Sequence, residues 1–244
     1  MKLNPLVWSV LLFACLQLVN TVTNAEEATL TVQLQKLADA SKSKGSSEKR
    51  KIMTDAIEAL RKSQITDRAL KVGDRMPDFV LPDVKNGPVD SKKLLKKGML
   101  VIVFYRGGWC PYCNLQLHDL QAHLSEIKAL GANLVAISPQ TPDNSLSTAQ
   151  KDGLSFYVLS DVDSKVAKQF NLTYTLPDNL KKLYREFGID LEKSNASKVW
   201  ELPLGATYII LPNNKIAYAF LNVDYKKRAE TLDIIQKLKV LSTK

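Results

Sequence analysis

The chain has 244 residues, of which 45% are hydrophobic and 24% charged, with a formal net charge of +9. That length and composition suffice for one full-sized core with room for an appendage, and exclude a fibrous or wholly disordered chain. The basic residues are scattered among acidic ones, as at Lys92-Lys93, Lys96-Lys97, Lys181-Lys182 and Lys226-Lys227-Arg228. This reads as solvated surface and argues against a nucleic-acid partner.

Residues 1–25 open with a lone Lys2, continue through an apolar stretch from Leu6 to Val19 and end in Thr23-Asn24-Ala25. The apolar core is too short to span a bilayer and is followed by a small-residue cleavage site, so the segment reads as a secretory signal, with the mature chain starting at Glu26. A lipidated Cys15 within "LFAC" and a retained anchor helix are the alternatives. Cleavage leaves Cys110 and Cys113 as the cysteines of an exported, periplasmic or secreted protein with a charge of +8 once Lys2 is gone. The membrane enters this reading only through the export signal.

Residues 26–70 form a helical N-terminal extension. "LTVQLQKLADAS" and "SSEKRKIMTDAIEALRKSQI" space their apolar residues helically around the turn-like "SKSKGSSEK", and packing is the expected role of this hairpin. From residue 71 the prolines and the Asn-Gly turn of "VGDRMPDFVLPDVKNGPVD" predict a small edge hairpin, and a domain boundary falls near residue 70.

Beyond it, the strand-like runs "MLVIVFY", "NLVAIS", "FYVLS", "ATYIIL" and "KIAYAF" alternate with helical patterns at 111–130, 143–152, 164–170 and 226–241. The fold class is α/β. Residues 71–244 predict a central mixed sheet flanked by helices, βαβ first and ββα last, which is the thioredoxin-like arrangement. The stretch 172–200, around "TLPDNLKKLYREFG", exceeds the minimal version and is expected to be an inserted helix and loop.

The stretch "YRGGWCPYCN" carries the chemistry. Pro111 suits the first position of a helix, and Leu117, Leu120, Leu124 and Ile127 give that helix a buried stripe, so Cys110 sits at the strand-to-helix elbow. Unpaired N–H groups at a helix start favour thiolate over thiol, and Arg106 can add a cation. Cys110 is therefore read as nucleophile, at the exposed end, and Cys113, one turn on, as its resolving partner. A zinc site needs two further ligands, and His118 and His123 lie too far along the same helix to complete it, so no metal or other cofactor is expected. A purely structural disulfide between Cys110 and Cys113 would close so small a loop that it would stabilise little.

The stretches "VGDRMPDFVLPD", "FYRGGWCPYCN", "GANLVAISPQTPDNS", "LSDVDSKVAKQFNL", "LPLGATYII" and "DYKKRAE" together resemble the alkyl hydroperoxide reductase / thiol-specific antioxidant family, in its peroxiredoxin-like branch. The resemblance covers roughly residues 70 to 240. It implies a thioredoxin-like fold and thiol-based reduction of hydroperoxides, with electrons from a thioredoxin-type protein, or from a membrane-linked dithiol if the protein is exported. Nucleophile and partner fall on Cys110 and Cys113, which would form the redox disulfide.

Two positions depart from standard peroxiredoxins: Val103 stands where they place proline, and Gly107 where they place threonine or serine. Thioredoxins keep a buried carboxylate where this chain has Phe104, and a cis-proline near the position of Gly205 and Pro203. Cys-Pro-Tyr-Cys is also the glutaredoxin sequence, so exchange with protein disulfides is the alternative activity, with Trp109, Tyr112 and Gly205 as a docking rim for substrate. A non-enzymatic redox switch is a third reading. Asn171 and Asn195 head glycosylation sequons that matter only in a glycosylating host. The sequence gives no reading of oligomeric state.

Overall fold

The computed structural model describes residues 29–85 and 87–243. The signal expected at residues 1–25, Cys15 and Asn86 of the Asn-Gly turn lie outside the described residues. Helix α1 (Leu30–Lys44) and helix α2 (Ser47–Lys62) form the expected hairpin, and each starts at a hydroxyl cap: Thr29 accepts from the Val32 N–H and Ser46 from that of Lys49. A short α3 (Ile65–Arg68) leads to the edge hairpin β1 (Val80–Asp83) and β2 (Gly87–Asp90). There follow α4 (Ser91–Leu95), β3 (Met99–Phe104), α5 (Pro111–Ala122), α6 (Leu124–Ala129), β4 (Ala132–Ser138), α7 (Pro142–Lys151), β5 (Tyr157–Ser160) and α8 (Lys165–Gln169). The insertion runs from β6 (Thr173–Thr175) through α9 (Asp178–Glu186) and α10 (Leu191–Asn195) to β7 (Glu201–Pro203). The chain then forms β8 (Gly205–Ile210), β9 (Ile216–Asn222) and α11 (Thr231–Ser242).

The main sheet has seven strands in the order β2-β1-β5-β4-β3-β8-β9. Strand β3 lies parallel to β4, and β8 closes antiparallel on its other side. Every residue of β3 is buried, as a strand with helices over both faces requires. Its side chains alternate between two apolar layers. Val101 and Val103 meet Leu30, Leu34, Leu117, Leu120, Ile234 and Leu238 on one face. Leu100, Ile102 and Phe104 meet Ile57, Ile65, Phe79, Phe170 and Tyr208 on the other. A mixed sheet covered in this way is the α/β, thioredoxin-like architecture that the sequence pattern implies.

The extension is not a separate body, because its helices contribute to both layers. Leu30 and Leu34 are buried to 1% and 4% exposure, and burial of each stabilises the fold by about 2 kcal/mol. A third cluster joins the extension to the insertion: Leu180, Leu183 and Tyr184 of α9 pack with Trp200 and Leu202 and receive Ile52, Met53 and Ala56 of α2.

Three element boundaries differ from the sequence pattern. The helix expected over 111–130 breaks at His123, which has φ −98° and ψ 9° and sets its ring Nδ1 2.9 Å from the Asp119 carbonyl oxygen. The apolar stripe passes through the break in phase, so periodicity does not register it. The helix expected over 226–241 begins only at Thr231, because Asp224 turns the preceding loop: its carboxylate accepts from the Lys226 N–H and its carbonyl from the Lys227 N–H. The insertion holds two helices and its own two-stranded ribbon, β6 with β7, where one helix and a loop were expected. Of the two sequons, Asn171 is exposed, whereas Asn195 is buried to 2% exposure and has no room for a glycan. Among the described residues no helix is long and apolar enough to cross a membrane.

Candidate active site

The loop between β3 and α5 places the cysteines. The Gly108 N–H donates to Gln140 Oε1 at 2.7 Å and the Asn114 side-chain amide donates to the Gly108 carbonyl at 2.9 Å, so the loop is held from both sides. Gly107 adopts φ +144°, and a Cβ there would lie 2.4 Å from the Trp109 indole nitrogen. The indole fills the space of the missing side chain, which is why no threonine or serine can stand at this position. Cys110 is the N-cap residue of α5 and Pro111 its first helical residue, and the Cys110 carbonyl accepts from the N–H groups of Cys113 and Asn114.

Both cysteines are free thiols, and neither is exposed: Cys110 shows 1% of its surface and Cys113 none. The expectation of an exposed Cys110 is therefore corrected. The cause is a cavity of about 850 Å³ whose floor is formed by Cys110, Arg106, Pro111 and Tyr112. Its walls come from distant segments: Asp39, Lys42, Lys49, Arg50 and Met53 of the N-terminal hairpin, Tyr184, Phe187 and Ile189 at the end of α9, and Tyr225 with Lys226 ahead of α11. The hairpin thus encloses the thiol, a role beyond the packing expected of it.

Arg106 is 2% exposed and sits where the sequence placed it, with Nη1 3.8 Å from Cys110 Sγ. Its guanidinium lies 4.4 Å from the Tyr225 ring centroid, 4.8 Å from that of Trp109 and 5.6 Å from that of Tyr184, and its Nη2 donates to the Tyr184 hydroxyl. This aromatic cage keeps a buried cation in place where, among the described residues, no carboxylate pairs with it. Arg228, which no sequence argument singled out, brings Nη2 to 3.1 Å from Cys113 Sγ.

These charges divide the two thiols. Burial by itself would push the Cys110 thiol up. The Cys113 S–H donating to its sulfur, the cations of Arg106 and Arg228 and the Cys113 backbone N–H together outweigh burial and bring it down to about 5. Cys113 moves the opposite way, well above the ordinary thiol range, through burial, its hydrogen bond to Cys110 and repulsion by the Cys110 thiolate. The resting pair is a Cys110 thiolate hydrogen-bonded by a Cys113 thiol, which suits attack by the first and resolution by the second.

The remaining residues named from sequence divide as well. Trp109 and Tyr112 line the cavity. Gly205 does not; it is buried behind the cysteines, and a Cβ on it would fall 1.4 Å from Arg228 Nη1. His118 pairs with Asp152 at 3.2 Å, away from the sulfurs.

Residues 72–219 match the AhpC/TSA family. The chain belongs to that family. It is similar to peroxiredoxin Bcp of Escherichia coli, with 34% identity over 103 residues that cover 42% of this chain and 65% of the relative. The chain thus spans a little under two thirds of that relative's length. A putative peroxiredoxin of Mycobacterium tuberculosis shares 29% identity over 155 residues, covering 63% of this chain and 87% of the relative. Among solved structures, peroxidoxin BcpB from Mycobacterium tuberculosis superposes with a TM-score of 0.56 at 21% identity, over 70% of this chain and 98% of that one. Peroxiredoxin 6 of Arenicola marina gives 0.55 at 16% identity, over 70% and 73%. These likenesses establish a peroxiredoxin-type, thioredoxin-like fold. The matched span ends before Tyr225 and Arg228 and begins after the hairpin.

Proposed function

We propose that this protein is an exported thiol-dependent peroxidase that reduces hydroperoxides through Cys110 and Cys113. The observation that carries the reading is the thiolate-stabilised Cys110 at the floor of a cavity open to solvent, with a protonated second thiol hydrogen-bonded to it. The Cys110 thiolate attacks the distal oxygen of the peroxide; the O–O bond breaks, the hydroxyl stays on sulfur as a sulfenic acid, and the departing alkoxide or hydroxide takes a proton from solvent to become alcohol or water. Arg106 Nη1 stabilises the thiolate and faces the oxygen that departs. Cys113 then condenses with the sulfenic acid to give the Cys110–Cys113 disulfide and water. A thioredoxin-type dithiol, soluble or membrane-linked, reduces that disulfide and completes the cycle.

The cavity has room for organic hydroperoxides as well as hydrogen peroxide, and Met53, Phe187 and Ile189 give it apolar wall. A large protein disulfide would have to reach a sulfur that is 1% exposed, which favours the peroxidase over the exchange activity. The test compares the rates at which hydrogen peroxide and a disulfide-bonded protein oxidise the reduced mature protein. Faster oxidation by peroxide is expected, and preference for the protein disulfide by orders of magnitude would overturn the proposal. Export rests on residues 1–25, and N-terminal sequencing of the exported protein is expected to start at Glu26.

A further inference from the structure

Arg228 is a buried cation, and among the described residues no carboxylate pairs with it. It is 5% exposed, comes from the loop before α11 and reaches Cys113. Its Nη2 lies 3.1 Å from Cys113 Sγ, while its Nε and Nη1 have no hydrogen-bond partner among the described residues. A buried guanidinium with open donors destabilises the fold, and a native structure that keeps one calls for an explanation such as a role at a reacting group. The space it occupies exists only because residue 205 is glycine: a Cβ there would fall 1.4 Å from Nη1 and 2.5 Å from the guanidinium carbon. Gly205 belongs to β8 and has no positive φ, so its backbone does not call for glycine. The guanidinium does.

We infer that Arg228, seated in the notch left by Gly205, is a catalytic residue for the resolving step, activating Cys113 as the nucleophile that attacks the Cys110 sulfenic acid. This rests on the peroxidase reading. In the reduced pair the Cys110 thiolate repels negative charge on Cys113 and keeps its proton in place. Oxidation converts that thiolate to a neutral sulfenic acid and removes the repulsion, leaving Arg228 as the cation beside Cys113. The thiol then ionises more readily. Its sulfur attacks Cys110 Sγ, the S–S bond forms, the S–O bond of the sulfenic acid breaks, and the departing hydroxide combines with the proton from Cys113 as water. Two-electron balance is kept within the pair: both sulfurs end in the disulfide, and the peroxide oxygen ends in water. Both cations favour the Cys110 thiolate for the first step, and Arg228, the one in contact with Cys113, serves the second.

The experiment uses the full mature protein, reduced and mixed with one equivalent of hydrogen peroxide, and follows sulfenic acid and disulfide by quenched-flow mass spectrometry. The readout is the ratio of the condensation rate to the oxidation rate, which molecules that fail to fold do not affect because they drop out of both phases. Arg228→Met is expected to lower this ratio about tenfold or more, since one pKa unit on Cys113 alters its thiolate fraction about tenfold. Arg228→Lys is expected to fall between, because it keeps the charge and loses the fork. Gly205→Ala keeps the arginine and displaces its guanidinium, so it is expected to lower the ratio as well, and to have no further effect in the Arg228→Met background. An unchanged ratio in Arg228→Met, or a loss confined to the oxidation phase, overturns the proposal. So does a Gly205→Ala effect that persists undiminished without the arginine, or none at all where the arginine is present. Absence of any sulfenic acid in native protein and in Cys113→Ser sinks the peroxidase reading itself, a result distinct from all of these.

Discussion

The floor and the roof of the cavity are built on different principles. The floor is one contiguous stretch, Arg106 to Cys113, held by hydrogen bonds of its own backbone, and within it Arg106, Cys110, Tyr112 and Cys113 are buried. The roof is assembled from the N-terminal hairpin, the end of α9 and the loop at Tyr225, and it carries exposed charge: the Lys49–Glu186 pair across hairpin and insertion, 3.2 Å apart, is 40% and 45% exposed. Buried charges act at short range in a poorly screened medium, whereas those of the roof are screened by solvent. The buried floor, with the arginines held against it, is therefore where the chemistry is expected to be set, and the exposed part of the roof is where access is expected to be set.

The division breaks most visibly at Cys110. Cys110→Ser is expected to slow peroxide consumption by at least about 10³-fold, because a serine hydroxyl is un-ionised at neutral pH. Cys113→Ser is expected to leave the first turnover in place and trap a sulfenic acid on Cys110, read by mass; multiple turnover stops. Arg106→Met should then cost about tenfold or more in the oxidation rate near neutral pH. The sign follows from the thiolate being the reactive form. In the native protein the rate is expected to be level at neutral pH and to fall as pH drops through the Cys110 pKa, about 5. Without the Arg106 cation the fall moves to higher pH, and a rate–pH profile left in place would show that the helix start and Cys113 suffice.

Smaller effects belong to the roof. Met53→Trp narrows the cavity and is expected to lower kcat/KM for cumene hydroperoxide several-fold more than for hydrogen peroxide, whereas equal losses would mean that Met53 acts through the floor. Lys49→Ala breaks an exposed ion pair, and its cost to stability, about 0–1 kcal/mol in chemical denaturation, should be the least of all.

The sheet and the floor were legible in the sequence because both are local patterns. The unbroken apolar run of β3, the alternation of strand and helix, and a proline after a cysteine each report a nearby physical constraint. Arg106 was legible for the same reason, standing four residues from the sulfur it faces. The cage was not. Tyr184 approaches Arg106 across a separation of 78 residues, and Arg228 meets Cys113 across 115. No periodicity connects such pairs. Both Tyr225 and Arg228 lie in "DYKKRAE", which the family resemblance marked without giving either a role. Gly205 was noticed as the wrong residue for a proline; only the packed structure relates its missing side chain to an arginine.

One contact of the roof bears on how the molecule comes into being. The N–H groups of Leu30 and Thr31 at the start of α1 donate to the Glu230 carboxylate at 3.0 and 2.9 Å, and the Thr31 hydroxyl adds a third bond at 2.7 Å. A chain is made from its N-terminus, so α1 leaves the ribosome 200 residues ahead of the group that caps it. The thiols of the nascent protein are present long before the chamber around them can close. The anchoring of α1 is complete only with the arrival of Glu230.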